Sequence, residues 1–152
     1  MTIEDDIAFL ERVPTLRELG PGPLRILAIG AESFYLDPGQ VLFYAGDPAD
    51  GAYVVQEGSV SLRSGHYGDE EIVAGPGTLL GESALLAETR RPATAAALEN
   101  ATVMRISRAM FLKMLDSYPD AAERLRALIA SRTDQWTREI ENIRAVLTRG
   151  TD

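Results

Sequence analysis

Between Ser33 and Ser107 the chain is cut into brief apolar, β-branched or aromatic runs by turn residues. These are Pro38-Gly39, Gly46-Asp47-Pro48, Asp50-Gly51, Glu57-Gly58, Gly65 and Gly75-Pro76-Gly77. Turns recurring at roughly eight to twelve residues suit a β-roll or sandwich better than alternating βαβ units. The runs place strands near Phe34 to Leu36, Val41 to Tyr44, Ala52 to Gln56, Val60 to Arg63, Glu71 to Val73, Thr94 to Leu98 and Val103 to Ile106.

Helical texture flanks this region. Ile7, Phe9, Leu10, Val13 and Leu16 recur at helical spacing, Pro14 and Gly20-Pro21-Gly22-Pro23 interrupt, and Leu24, Ile26, Leu27 and Ile29 resume an apolar face. Ser107 is suited to N-cap a helix carrying Met110, Phe111, Met114 and Leu115, which stops near Tyr118-Pro119; Asp120 is expected to cap the next run. In that last helix Ile129, Thr133, Trp136, Ile140, Ile143 and Leu147 fall alternately four and three residues apart, a heptad seam. The seam predicts a homodimer through this helix, against the competing reading that the stripe folds back on its own domain.

The length of 152 residues fits one domain. We expect N-terminal helices over 3–30, a β-roll over 33–107 and C-terminal helices over 108–148, a mainly β class with flanking helices. With 45% hydrophobic and 25% charged residues the composition is that of a soluble globular protein. The acidic start Met1-Thr2-Ile3-Glu4-Asp5-Asp6 is unlike a secretory signal, so a cytoplasmic location is expected. The net charge of -8 gives no electrostatic footprint for nucleic acid or an anionic membrane, and any bound anion must be held locally. Zero cysteines exclude thiol chemistry and cysteine metal sites.

The stretch richest in chemistry is Gly77-Thr78-Leu79-Leu80-Gly81-Glu82-Ser83-Ala84-Leu85-Leu86, followed by Ala87-Glu88-Thr89-Arg90-Arg91-Pro92-Ala93-Thr94-Ala95. Gly81 permits a tight turn that brings backbone amides close to a bound group, and Glu82 to Leu86 suit one helical turn. Such a terminus favours an anion by about 0.3–1 kcal/mol, while charge-assisted bonds from an arginine contribute about 1.5–3 kcal/mol. Arg91 or its neighbour Arg90 is placed to supply them. Glu82 would repel a phosphate unless it faces another part of the ligand, and an acceptor-only carboxylate suits a sugar hydroxyl. Phosphate and ribose together indicate a nucleotide.

This segment resembles the phosphate-binding cassette of the cyclic-nucleotide-binding domain family, which includes catabolite-activator-like regulators and kinase regulatory subunits. The match runs from Leu80-Gly81-Glu82-Ser83-Ala84-Leu85-Leu86 to Arg91-Pro92-Ala93-Thr94, with Gly81 and Arg91 at the family's typical separation. It also takes in Leu36 to Phe43, Ala45 to Val55 and Glu57 to Val60, spanning about residues 8–130. The resemblance implies a double-stranded β-helix, or jelly roll, and a ligand such as cAMP or cGMP. It implies that Arg91 bridges the cyclic phosphate, that Glu82 accepts from the ribose 2′-hydroxyl, and that Gly81 and Ala84 make close backbone contacts; Ser83, Ala93 and Thr94 complete the expected ligand-binding set. A base-covering residue from the last helix would be Arg132 or Thr133.

One departure weakens the site. Pro92 stands where the family commonly has Ala, Thr or Ser, and proline has no N–H for the phosphate. One lost neutral hydrogen bond costs about 0.5–1.5 kcal/mol. The missing hydroxyl also tilts the expectation slightly toward cAMP over cGMP. Two roles follow: a sensor whose helices repack on ligand binding and present a surface to an unidentified protein partner, or a degenerate domain serving as an interaction scaffold. No helix-turn-helix, kinase or channel follows the cassette before Asp152, so a stand-alone module is expected. Catalysis is not expected. The sole histidine, His66, sits in a Gly-rich turn without a partner, no histidine cluster offers a metal site, and Gly-Glu-Ser83-Ala-Leu lacks the second glycine of a nucleophile elbow.

Overall fold

The computed structural model describes residues 2–64 and 71–128. Three short helices come first: α1 (Ile3–Leu10), α2 (Pro14–Arg17) and α3 (Pro21–Gly30). Thr2 and Asp5 cap α1 reciprocally. Pro14 and Pro21 break the helical pattern by opening α2 and α3 at the first turn, where a missing N–H has no consequence.

Ten strands follow: β1 (Glu32–Leu36), β2 (Val41–Phe43), β3 (Pro48–Ala49), β4 (Gly51–Glu57), β5 (Val60–Arg63), β6 (Ile72–Ala74), β7 (Leu79–Leu80), β8 (Thr89–Arg90), β9 (Thr94–Ala97) and β10 (Ala101–Ser107). All pair antiparallel, in sheets ordered β1-β10-β4-β7 and β2-β9-β5-β6, with a small β3-β8 ladder. This is the expected jelly roll.

Strand alternation divides the interior in two. On β4, Val55 faces the roll interior, where it meets Leu36, Val60, Ala74, Leu80, Ala95, Ala97, Ala101 and Val103. Ala52 and Val54 on the same strand, with Met104 and Ile106 of β10, face outward. There they bury the apolar stripes of the helices, among them Leu10, Leu16, Leu24 and Leu27, and Phe111 and Met114 of α4 (Arg108–Ser117). Burying one large aliphatic or aromatic side chain contributes about 1.5–3 kcal/mol, so the helical layer is part of the core.

Ser107 caps α4, its Oγ accepting from the Met110 N–H at 3.2 Å. The next helical stretch, 119–128, begins one residue before the expected cap. Pro119 takes the first helical position and the Tyr118 carbonyl accepts from the Ala122 N–H at 3.1 Å, so Asp120 lies inside the first turn. His66, the heptad seam from Ile129 to Leu147, and Arg132 and Thr133 lie outside the described residues. No helix among the described residues is long and apolar enough to cross a membrane.

Candidate functional site

Gly81 lies between the two halves of the core. Leu80 packs into the roll interior and Leu85 into the helical layer. The chain must therefore reverse sharply, and Gly81 does so with φ +80°, in the left-handed region that glycine enters without a Cβ clash. Glu82–Leu85 then forms a single 3₁₀ turn, closed by the Ala84 N–H donating to the Gly81 carbonyl at 3.0 Å. Ala84 is buried and Ser83 exposed.

The arginine pair divides its roles by strand parity. β8 pairs with β3 in the register Pro48↔Arg90. Beyond that ladder the Arg91 N–H donates to the Asp47 carbonyl, and the Arg91 carbonyl accepts from the Gly46 N–H, both at 2.8 Å. Arg90 points outward and donates to the Gly46 carbonyl at 2.9 Å. Arg91 turns inward and is only 5% exposed.

Its guanidinium lies over the Phe43 ring at 4.5 Å from the centroid and 5.5 Å from that of Tyr53. The two rings are themselves 5.9 Å apart, and Phe34 meets Tyr53 edge-on. Aromatic faces hold the flat of a guanidinium and leave its edge to donate in plane. That edge abuts Gly81 so closely that a Cβ there would collide with Arg91 Nη1. Nη1 is buried and has no hydrogen-bond partner among the described residues. Desolvation lowers the Arg91 pKa from its ordinary value, with electrostatic attraction to Tyr53, Asp50 and Asp47 acting the other way. Arginine remains cationic regardless.

Glu82 accepts from the Thr15 hydroxyl at its Oε2, 3.1 Å away. Thr94 Oγ1 accepts from the Ala45 N–H at 2.9 Å, tying β9 to the turn that anchors Arg91. Pro92 is exposed, and Ala93 half-buried beside it. The structure thus brings Gly81 and Arg91 into contact, places Glu82 and Ala84 on the adjoining turn, and leaves Ser83 facing solvent.

Sequence reasoning passed over Phe43, Tyr53, Thr15 and Arg108. The aromatic pair carried a signal in strand alternation, since Tyr53 shares the inward parity of Val55. Arg108 carried none. Its Nη1 donates to the carbonyls of Ala49, Ala84 and Ala87 at 3.0, 3.3 and 2.9 Å, clasping β3 to the end of the 3₁₀ turn. Bonds from a charged donor contribute about 1.5–3 kcal/mol, so Arg108→Met is expected to lower unfolding stability by about 2 kcal/mol in urea titration. An unchanged midpoint would show the clasp to be dispensable.

An antiparallel roll with helices packed on one face thus carries an arginine buried against a glycine turn. The family model for the cyclic nucleotide-binding domain matches residues 33–118. The chain is 35% identical over 106 residues to the cyclic AMP receptor protein of Thermus thermophilus, a match covering 68% of this chain and 49% of that one. Among solved structures it is similar to a cyclic nucleotide-binding-like protein from Brucella abortus, with 41% identity, a TM-score of 0.65, and coverage of 74% of this chain and 98% of that one. The N-terminal domain of a transcriptional regulator from Streptomyces coelicolor gives 29% identity and a TM-score of 0.78, covering 87% and 94%. This chain belongs to the cyclic nucleotide-binding domain family. It spans about half the length of the receptor and smaller shares of longer relatives.

Proposed function

We propose that this domain is a non-enzymatic sensor of a cyclic nucleotide, cAMP in slight preference to cGMP, acting as a regulatory module in the cytoplasm. The observation that carries the reading is the buried Arg91 guanidinium, whose Nη1 has no hydrogen-bond partner among the described residues and lies against Gly81. A buried cationic donor left without an acceptor is costly, and a ligand acceptor would complete it. A cyclic phosphate supplies one negative charge and in-plane acceptors, which suits a single guanidinium.

In this reading Arg91 holds the phosphate and Glu82 accepts from the ribose 2′-hydroxyl. Gly81, Ser83, Ala84, Ala93 and Thr94 line the remainder of the site. Binding drives a response through the helices, which share the buried layer containing Leu85. To switch anything the ligand must favour one helix arrangement. The output passes to a dimer mate through the last helix or to another protein, with no part for nucleic acid or membrane. The chain from 1 to 152 is read as one domain.

Pro92 favours a second reading, a scaffold without nucleotide, because the phosphate lacks one N–H there. Calorimetry with cAMP and cGMP separates the two. Saturable binding lost in Arg91→Ala supports the sensor, and silence at millimolar nucleotide supports the scaffold.

A further inference from the structure

Thr15 is a buried polar residue with no place in the reading above. It sits on α2, only 3% exposed between the buried Val13 and Leu16. Its hydroxyl donates to Oε2 of Glu82, on the far side of the sequence and inside the cassette. A buried hydroxyl requires a partner, and this one has a carboxylate. The platform beneath it is tied at both ends. Pro14 opens α2, and at the other end Arg124 of the stretch 119–128 donates to the carbonyls of Glu18 and Leu19 at 2.9 and 3.1 Å.

We infer that Thr15 is a positioning residue for sugar recognition: it fixes the Glu82 carboxylate so that a ribose 2′-hydroxyl meets an acceptor already in place. The inference rests on the proposed role of Glu82. A carboxylate offers about four lone-pair sites, so it accepts from Thr15 and from a ribose together. Without the Thr15 donor the Glu82 carboxylate loses one of the bonds that fix its orientation, which costs affinity only for ligands that use it. Thr15 therefore acts on the contrast between ribo- and 2′-deoxyribonucleotides and spares the phosphate.

The test titrates the full chain with cAMP and with 2′-deoxy-cAMP by calorimetry, for the wild type, Thr15→Val, Thr15→Ser and Glu82→Ala. The wild type is expected to prefer the ribonucleotide by roughly tenfold, the worth of one hydrogen bond to a charged group. Thr15→Val narrows that ratio to about threefold or less by weakening cAMP, and Thr15→Ser, which keeps the donor, restores it. If Glu82→Ala removes the preference while Thr15→Val keeps it, or if Thr15→Val weakens both ligands equally, the inference is overturned and the function stands. A wild type that binds neither ligand, or shows no preference between them, overturns the role given to Glu82 and this inference with it.

Discussion

Arg91→Met is expected to stabilise the ligand-free protein while removing its affinity for cyclic nucleotide. The guanidinium is buried, its Nη1 has no hydrogen-bond partner among the described residues, and desolvation depresses its pKa without discharging it. Removing a buried charge whose donor is unfilled relieves a desolvation penalty that an apolar side chain of similar length does not incur. The loss of stacking on Phe43 and Tyr53, about 0.5–2 kcal/mol, opposes this gain, but a methionine sulfur restores part of it against the same rings. The net is about 1 kcal/mol, which raises the midpoint of a chain this size by roughly 2–4 °C in scanning calorimetry. Affinity moves the other way by about 3 kcal/mol, a hundredfold or more, because the phosphate loses its charged donor. A midpoint that falls would mean that Arg91 is satisfied in the ligand-free fold and is structural.

Gly81→Ala carries the second large effect, and for two separable reasons. At φ +80° an alanine is strained by about 1–2 kcal/mol. Its Cβ would also collide with Arg91 Nη1, so the guanidinium has to shift from its place over Phe43 and Tyr53. Together these are expected to lower stability by about 2–3 kcal/mol and to weaken nucleotide binding at least tenfold. The double variant with Arg91→Met separates the causes. Methionine lacks the Nη1 atom, so the cost of Gly81→Ala shrinks toward the backbone strain alone, leaving a coupling of about 1 kcal/mol between the sites. Strict additivity would show that Gly81 and Arg91 do not meet in solution.

How far the molecule was legible in its sequence depends on whether the signal was local. Val60 to Arg63 alternates and is bounded by Gly58 and Gly65, and β5 occupies those residues. Pro48–Ala49, Leu79–Leu80 and Thr89–Arg90 are strands of two residues, too short for any period to register, and they exist because the roll's curvature brings them alongside partners. Asp120 had the chemistry of a cap, but Pro119 pre-sets the helical φ one residue earlier and so moves the start. The cassette was visible because its glycine, glutamate and arginine stand ten residues apart or less. The residues alone left Arg90 and Arg91 open, since β8 parity depends on pairing with β3, and only the family resemblance singled out Arg91. Thr15, 67 residues from Glu82, left no local trace at all.

In the proposed function Arg91 is a buried cation kept for an incoming anion. The most direct measurement is a crystal structure of the wild-type chain grown with saturating cAMP. An exocyclic phosphate oxygen is expected to be hydrogen-bonded to Arg91 Nη1 beside the Gly81 turn, with the guanidinium still over the Phe43 ring. A nucleotide bound elsewhere, or an Arg91 Nη1 that still faces no ligand atom at full occupancy, would contradict it.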